Sequence, residues 1–170
     1  MPRVIFHHVE RGTGFKPYID NRFNDEDELT THSGASFPAI RVNDSDEILG
    51  KINNDTRVVG IDEAQFLDKE ETPKLVKILR KRGIRTIIAG LDMDFRGEPF
   101  GPIPELLAIA KLVAKLPAIC SVCNEEDAYF TQRIKDGEPA NYSDPIVEVG
   151  AEELYEARCA EHRELPGDPY

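Results

Sequence analysis

The chain has 170 residues, of which 40% are hydrophobic, and its 21 basic and 32 acidic side chains give a formal net charge of −11. This length allows one large domain, or one domain with a small appendage, around a substantial core. The negative charge argues against nucleic acid as the main partner, because that binding needs clustered positive charge. No apolar run approaches the ~18 residues of a membrane span, and no signal peptide is visible, so no membrane partner is expected. Three cysteines, an odd number, argue against a disulfide framework and favour a reducing, cytoplasmic location.

The first third of the chain predicts short elements. Residues 1–14 show one short apolar run, end in a flexible Gly-Thr-Gly and remain unassigned. The segment "FKPYIDNRF" then begins a short strand that Pro17 breaks. In "RVNDSDEILGKI" the pattern predicts a loop, a cap at Asp44 or Ser45, and a short helix with one apolar side.

Two buried strands joined by a helix are predicted in the middle of the chain. The strands are residues 58–61 and "RTIIAGLD". Between them, Thr72 and Pro73 have the cap-then-proline order of a helix start, and Gly83 ends the helix. This order predicts a right-handed βαβ unit with parallel strands. A further helix is predicted over "PIPELLAIAKLVAKL".

Acidic residues follow both predicted strands. Asp62 and Glu63 end the first strand, and Asp92 and Asp94 follow the second. Because ligands bind at the carboxyl ends of parallel strands, these four acids are predicted to lie near one rim of the sheet. The alternative is that some of them only cap the next helix. For the Asp62-Glu63 pair the pattern favours a functional role.

Two short motifs predict a metal site. "CSVC" supplies Cys120 and Cys123, and "CAEH" supplies Cys159 and His162. These are four ligands of the types that tetrahedral zinc prefers, and four protein ligands leave no open position, so the site is predicted to be structural. The alternative is three reduced cysteines and a surface histidine. A metal here would close the polar loop 124–158, with a short strand at 146–149, and such a loop suggests a substrate cover.

Several segments together resemble one family in order and spacing. "IDEAQF", "AGLDMDFRGEPFG", "CSVC", "TQRIKDGEPA", "DPIVEVGA" and "YEARC" resemble the type II (thymidine kinase 1-like) thymidine kinases, from Phe15 to about Pro166. The resemblance implies a P-loop-NTPase-like α/β fold with a parallel sheet core and a small C-terminal zinc-stapled lasso domain. The implied organisation is an unassigned segment 1–14, a nucleotide-kinase core 15–117 and a lasso domain 118–170.

The resemblance also implies an activity. The family transfers the γ-phosphate of ATP to the 5′-hydroxyl of thymidine, in deoxynucleoside salvage and DNA precursor synthesis. Glu63 would be the general base that takes the hydroxyl proton. Asp62 would hold the Mg²⁺ that accompanies ATP, and Ala64 and Gln65 would lie near the phosphates. Structural zinc and a homotetramer are implied as well.

The implied thymidine site draws on several parts of the chain. Asp20 and Arg22 would lie beside the reacting hydroxyl and the phosphates. The residues implied for the base are Leu91, Phe95, Phe100, Thr131 and Tyr155, with backbone groups near Val149 and Gly150. Considered alone, the aromatic rings could equally belong to the core, and Arg22 could be a surface charge.

The sequence departs from the family at one point. Family members begin with a strand and a Walker A loop, G-x-x-x-x-G-K-[ST], which neither "ERGTGFKP" nor "ILGKI" matches. The expectation is therefore that the first strand, its phosphate loop and its helix are missing, which would expose apolar surface on the sheet. Three explanations stay open: a truncated or misread kinase, a non-catalytic nucleoside-binding relic, or a second chain that supplies the element.

Overall fold

The computed structural model describes residues 12–18, 28–30, 36–147 and 154–170. These residues divide into two compact units. The sheet unit comprises the described residues up to Asp92 together with Phe100–Val113, and the ribbon unit comprises Met93–Pro99 and Ala114–Tyr170. Within the described ranges, no helix combines the length and the apolar character that crossing a membrane requires.

A five-stranded sheet forms the centre of the sheet unit. Its strands in chain order are β1 (Gly12–Pro17), β2 (Glu28–Thr30), β3 (Ser36–Val42), β4 (Val58–Ile61) and β5 (Arg85–Ile88). Across the sheet the order is β2-β3-β1-β4-β5, and only the β2–β3 pair is antiparallel. The parallel α/β core predicted from the sequence is confirmed. The expected absence of a first strand and phosphate loop concerns the chain before β1, which lies outside the described residues.

The Gly-Thr-Gly segment forms part of the central strand, so the prediction that it is flexible was wrong. Residues 12–14 pair with residues 58–60 of β4, and Phe15 is completely buried. Residues 41–42, predicted as loop, likewise complete β3. The reason is that pairing with neighbouring strands outweighs the weak strand preference of glycine.

In the described part of the chain, three α-helices accompany the sheet. They are α1 (Ser45–Lys51), α2 (Glu71–Lys81) and α3 (Ile103–Ile109). The Asp44 side chain accepts a hydrogen bond from Glu47 N at 2.9 Å, which confirms the predicted cap of α1. Side chains from helices and strands form one buried apolar cluster, whose fully buried members include Phe15, Val42, Ile48, Val59, Ile61, Leu75 and Leu79.

Helix α2 begins earlier than the sequence predicts. Its capping oxygen belongs to Asp68, whose Oδ1 accepts hydrogen bonds from Glu70 N and Glu71 N, each at 2.8 Å. Thr72, the predicted cap, is buried inside the first turn. Strands β4 and β5, which flank α2, pair in parallel as predicted.

Helix α3 ends at Ile109, although the predicted helix extends through Leu116. Ala110 is already extended, with φ −65° and ψ 142°. Leu112 is 87% exposed and Leu116 is 52% exposed. An isolated helix is unstable in water unless its apolar face packs against a core, so these residues gain nothing from remaining helical.

The ribbon unit contains two small antiparallel sheets. Strands β6 (Ala118–Ile119) and β7 (Asp127–Ala128) form one sheet. The other, in the order β10-β8-β9, contains β8 (Phe130–Lys135), β9 (Glu138–Pro139) and β10 (Leu154–Arg158). Of the strand predicted at 146–149, residues 146–147 are not extended in a sheet and residues 148–149 lie outside the described residues.

Candidate functional site

Asp62 and Glu63 occupy the turn that follows β4. Asp62 N donates a hydrogen bond to Phe15 O at 3.0 Å, and Asp62 Oδ1 accepts one from Glu63 N at 2.9 Å. Glu63 has the left-handed conformation, with φ 50°. Outside glycine this conformation costs on the order of 1–2 kcal/mol, and such strain is concentrated at functional sites. Both side chains are half-buried at the carboxyl end of the strand.

Gln65 holds the Glu63 carboxylate in position. Its Nε2 donates a hydrogen bond to Glu63 Oε2, and its Oε1 accepts one from Leu91 N at 3.1 Å. The Gln65 side chain is 2% exposed. A Cβ atom at Gly90 would lie 2.7 Å from Gln65 Oε1, so glycine leaves the space that this amide needs. The amide therefore connects the turn after β4 to the segment after β5, while the predicted place of Gln65 beside phosphates stays a prediction.

The carboxyl ends of β4 and β5 lie side by side because these strands pair in parallel. The fully buried Ala64 donates its N–H to Ala89 O at 3.1 Å. Leu91 and Asp92 follow β5 and are half-buried. The Phe100 ring packs edge-on against Phe66, with 5.4 Å between the ring centroids. The structure thus brings Asp62, Glu63, Leu91 and Asp92 to one rim of the sheet.

The other predicted substrate residues belong to the ribbon unit or lie outside the described residues. Phe95 is buried, Thr131 lies on β8, and Tyr155 lies on β10 opposite Arg133. Asp94 also belongs to the ribbon unit, so its predicted place at the rim stays a prediction. The residues outside the described ranges are Asp20, Arg22, Val149 and Gly150.

The four predicted metal ligands lie together in the ribbon unit. One ligand atom from each of Cys120, Cys123, Cys159 and His162 lies within 4.8 Å of all the others. His162 Nδ1 is 3.1 Å from Cys159 Sγ and 3.9 Å from Cys120 Sγ. All three cysteines are free. Zinc–sulfur bonds of about 2.3 Å in a tetrahedron fit these separations, so the cluster could hold a metal ion such as zinc.

The pKa values of the two buried thiols shift in opposite directions. Burial opposes ionisation of Cys120, but backbone N–H groups, first that of Cys123, bring the pKa of this thiol down to about 6. Burial raises the pKa of Cys159 above its usual value. Metals bind the thiolate, so the N–H groups around Cys120 favour the form that a metal ligand needs.

Three ribbon-unit residues were not identified from the sequence. Gln132 and Arg133 are buried on β8, and Arg163 follows the candidate ligand His162 with its side chain 17% exposed. Their contacts join segments that are distant along the chain, so no periodicity marks them. The signals available were the resemblance segment "TQRIKDGEPA", which contains Gln132 and Arg133, and the position of Arg163 directly after a candidate metal ligand.

One family model, described as Thymidine kinase, matches residues 9–163. Only the first eight and the last seven of the 170 residues lie outside this match. The matched range includes the Asp62-Glu63 turn, the segment around Phe95 and all four residues of the Cys₃His cluster. The chain therefore belongs to the thymidine kinase family.

Proposed function

We propose that this chain transfers the γ-phosphate of ATP to the 5′-hydroxyl of thymidine, in deoxynucleoside salvage for DNA synthesis. The observation that carries the proposal is the Asp62-Glu63 turn at the carboxyl end of β4, in a chain of the thymidine kinase family. Open parallel sheets bind ligands at this end of their strands. Phosphoryl transfer needs a base for the nucleophile and carboxylate oxygens for the metal ion.

Glu63 is the proposed general base. It accepts the proton of the 5′-hydroxyl as the bond between oxygen and phosphorus forms. Gln65 Nε2 donates a hydrogen bond to Oε2 of this carboxylate, which restricts its rotation. Because Gln65 is itself held by Leu91 N, the carboxylate is oriented before the substrate binds.

Asp62 is the proposed ligand of the magnesium ion that enters with ATP. When bound, Mg²⁺ neutralises charge on the phosphoryl group that is transferred. Carboxylate oxygens are ligands that this ion prefers, and Asp62 presents its carboxylate, half-buried, beside Glu63. Ala64 and Gln65 are proposed to lie near the phosphates.

The proposal also covers the nucleoside site, the assembly and the location. The residues proposed for thymidine are Asp20, Arg22, Leu91, Phe95, Phe100, Thr131, Val149, Gly150 and Tyr155. Zinc in the Cys₃His cluster has a structural role, because its four protein ligands complete a tetrahedron. We further propose a homotetramer and a cytoplasmic location, the latter supported by the three free cysteines.

Thymidine-dependent formation of ADP, with Mg²⁺-ATP and zinc-loaded protein, tests this function. We expect turnover by the wild type and a decrease in kcat of about 10²–10⁴-fold for Glu63→Gln. The dissociation constant for thymidine should change little, because the variant keeps the size of the side chain. Glu70→Gln, which makes the same change on an exposed residue, is the matched control and should have wild-type kcat.

The outcomes separate the candidate functions. Thymidine binding without turnover in the wild type would support the binding-only alternative, which the family match does not favour. If folded, zinc-loaded protein shows no thymidine binding and no turnover, the proposal is overturned. Full activity of Glu63→Gln would show that another group is the base.

A further inference from the structure

A tight hairpin at Met93–Pro99 carries Phe95 within the ribbon unit. Its two ends form an antiparallel bridge, and Asp94 N donates a hydrogen bond to Glu98 O at 2.9 Å. The buried Asp94 carboxylate accepts hydrogen bonds from Arg96 N at 2.9 Å and Glu98 N at 3.1 Å. Asp94 thus caps the turn of the hairpin, whereas the alternative considered from the sequence was that it caps the next helix, which begins only at Ile103. These bonds define the shape of the hairpin but not its position on the unit.

Arg163 holds the hairpin from outside. Its Nη2 donates a hydrogen bond to Arg96 O, and its guanidinium carbon lies 4.7 Å from the centre of the Phe130 ring. Gly97 has φ +82°, and a Cβ atom there would lie 3.2 Å from Arg163 Nη2. The guanidinium therefore lies between the turn of the hairpin and the start of β8.

The backbone of Arg163 is fixed on both sides. Arg163 N donates to Cys159 O at 3.1 Å, across the turn that contains the ligand His162. The next residue, Glu164, is bound at both its N–H and its carbonyl by the Gln132 amide, at 2.8 and 2.9 Å. Metal binding at Cys159 and His162 would hold this turn in one conformation, and Arg163 extends directly from it.

The position of the hairpin determines the position of Phe95. This ring is 6% exposed, and the guanidinium carbon of Arg133 lies 5.3 Å from its centre. Arg133 is fully buried and donates a hydrogen bond from Nη1 to Pro145 O. A shift of the hairpin would therefore disturb the stacked pair of Phe95 and Arg133.

We propose that Arg163 is a positioning residue, through which metal binding at the Cys₃His cluster fixes the hairpin and hence Phe95. The evidence for a link from the metal to the hairpin is the set of contacts within the ribbon unit. Its consequence for thymidine rests on the proposed function, in which Phe95 lines the thymine pocket.

Hydrogen exchange at the amides of residues 94–98 tests the link. We expect zinc-loaded Arg163→Ala to keep one zinc per chain and to exchange these amides about tenfold faster than the wild type. Removing zinc from the wild type with a chelator should accelerate exchange at the same amides. In Arg163→Ala, zinc removal should increase the exchange rate little further, because the connection is already broken. Arg163→Lys should restore protection in part, since its ammonium can donate to Arg96 O but cannot stack as a plane.

Two results would overturn the proposal. One is that the hairpin amides of zinc-loaded Arg163→Ala exchange at the same rate as those of the wild type. The other is that zinc removal accelerates the exchange of these amides equally in both proteins. Arg82→Ala, an exposed arginine of the sheet unit, is the matched control. If Arg163→Ala fails to hold zinc, Arg163→Met, which keeps an unbranched stem but has no donor for Arg96 O, takes its place and must give the faster exchange.

Thymidine binding provides the second measurement. The dissociation constant should increase about fivefold or more in Arg163→Ala, with kcat nearly unchanged, since binding common to the ground and transition states is lost. If the wild type binds no thymidine, the proposed function fails while the exchange result still decides the link. If Arg163→Ala accelerates hydrogen exchange in the hairpin but leaves the dissociation constant for thymidine unchanged, Phe95 is not positioned for thymidine and this part of the inference is wrong.

Discussion

Gly101 shows how closely the backbone packs beside the Glu63 turn. Its φ is +51°, and a Cβ atom built on it would overlap the carbonyl oxygen of Gln65. Backbone atoms cannot move aside as a flexible side chain can. The residue that orients Glu63 therefore depends on a glycine that is distant in sequence.

We expect Gly101→Ala to lower the free energy of unfolding by about 2–4 kcal/mol, because it adds both overlap and a strained φ. It should also lower kcat, since Gln65 must shift. Gly50→Ala is the control: no atom lies within 4 Å of its Cβ position, and alanine in α1 should stabilise by up to about 1 kcal/mol. Urea unfolding measures the free energy of unfolding of both variants. A Gly101→Ala protein as stable as the wild type would contradict the packing described here.

At the scale of the element, the start of α2 depends on one carboxylate. The backbone N–H groups of Glu71 and Glu70 hold the pKa of Asp68 below its usual value of 3.8. A pKa that is lower in the folded state means that the charged form stabilises the fold. This stabilisation is complete above the unfolded-state pKa and is lost as the pH falls through the folded-state pKa.

Asp68→Asn keeps the accepting oxygen but cannot titrate. At pH 7 we expect the wild type to melt at a higher temperature than this variant, because the charged cap also interacts favourably with the helix dipole. The difference in Tm should decrease toward zero as the pH falls below 3.8. Asp55→Asn, with the same change of charge in an exposed turn, corrects for net charge. A difference that stays constant through the acid range would show that the Asp68 carboxylate does not support the helix.

At the scale of the whole molecule, the two units differ in what stabilises them. Among the described residues, the sheet unit has a cluster of thirteen buried apolar residues, whereas the buried residues in the cluster around the candidate metal site are Cys120, Ala128 and Cys159. Two of these three, Cys120 and Cys159, belong to the cluster that could hold a metal ion. A cluster this small stabilises little by itself, so the strands that form it, β6, β7 and β10, should depend on the metal.

Removal of zinc should therefore have a local effect. We expect a chelator to accelerate hydrogen exchange at residues 118–128 and 154–162 at least tenfold, while β1, β4 and β5 keep their protection. Added zinc should restore the wild type but not Cys159→Ser, which lacks one ligand. Unchanged exchange at residues 118–128 after complete loss of zinc would contradict a structural role for the metal.

The sequence by itself determined the parts that depend on local pattern. The apolar runs at 58–61 and in "RTIIAGLD" predicted two parallel strands, and both are present, although β5 ends at Ile88 and is only partly buried. Acids directly after a strand must lie at its end, so Asp62 and Glu63 were located by their order in the chain. The two spaced motifs contain all three cysteines, and a pair of ligands two residues apart readily turns toward one metal.

Only the tertiary structure decided which distant segments meet. The Gly-Thr-Gly segment is a strand because β4 pairs with all three of its residues and β3 pairs with Gly14. Helix α3 ends at Ile109 because the apolar residues beyond it, such as Leu112, remain exposed. The contact between Arg163 and the hairpin joins residues 67 positions apart, and no periodicity encodes such a pair. Burial and hydrogen bonding between remote segments arise only from the packed chain, and for this reason the local pattern could not predict them.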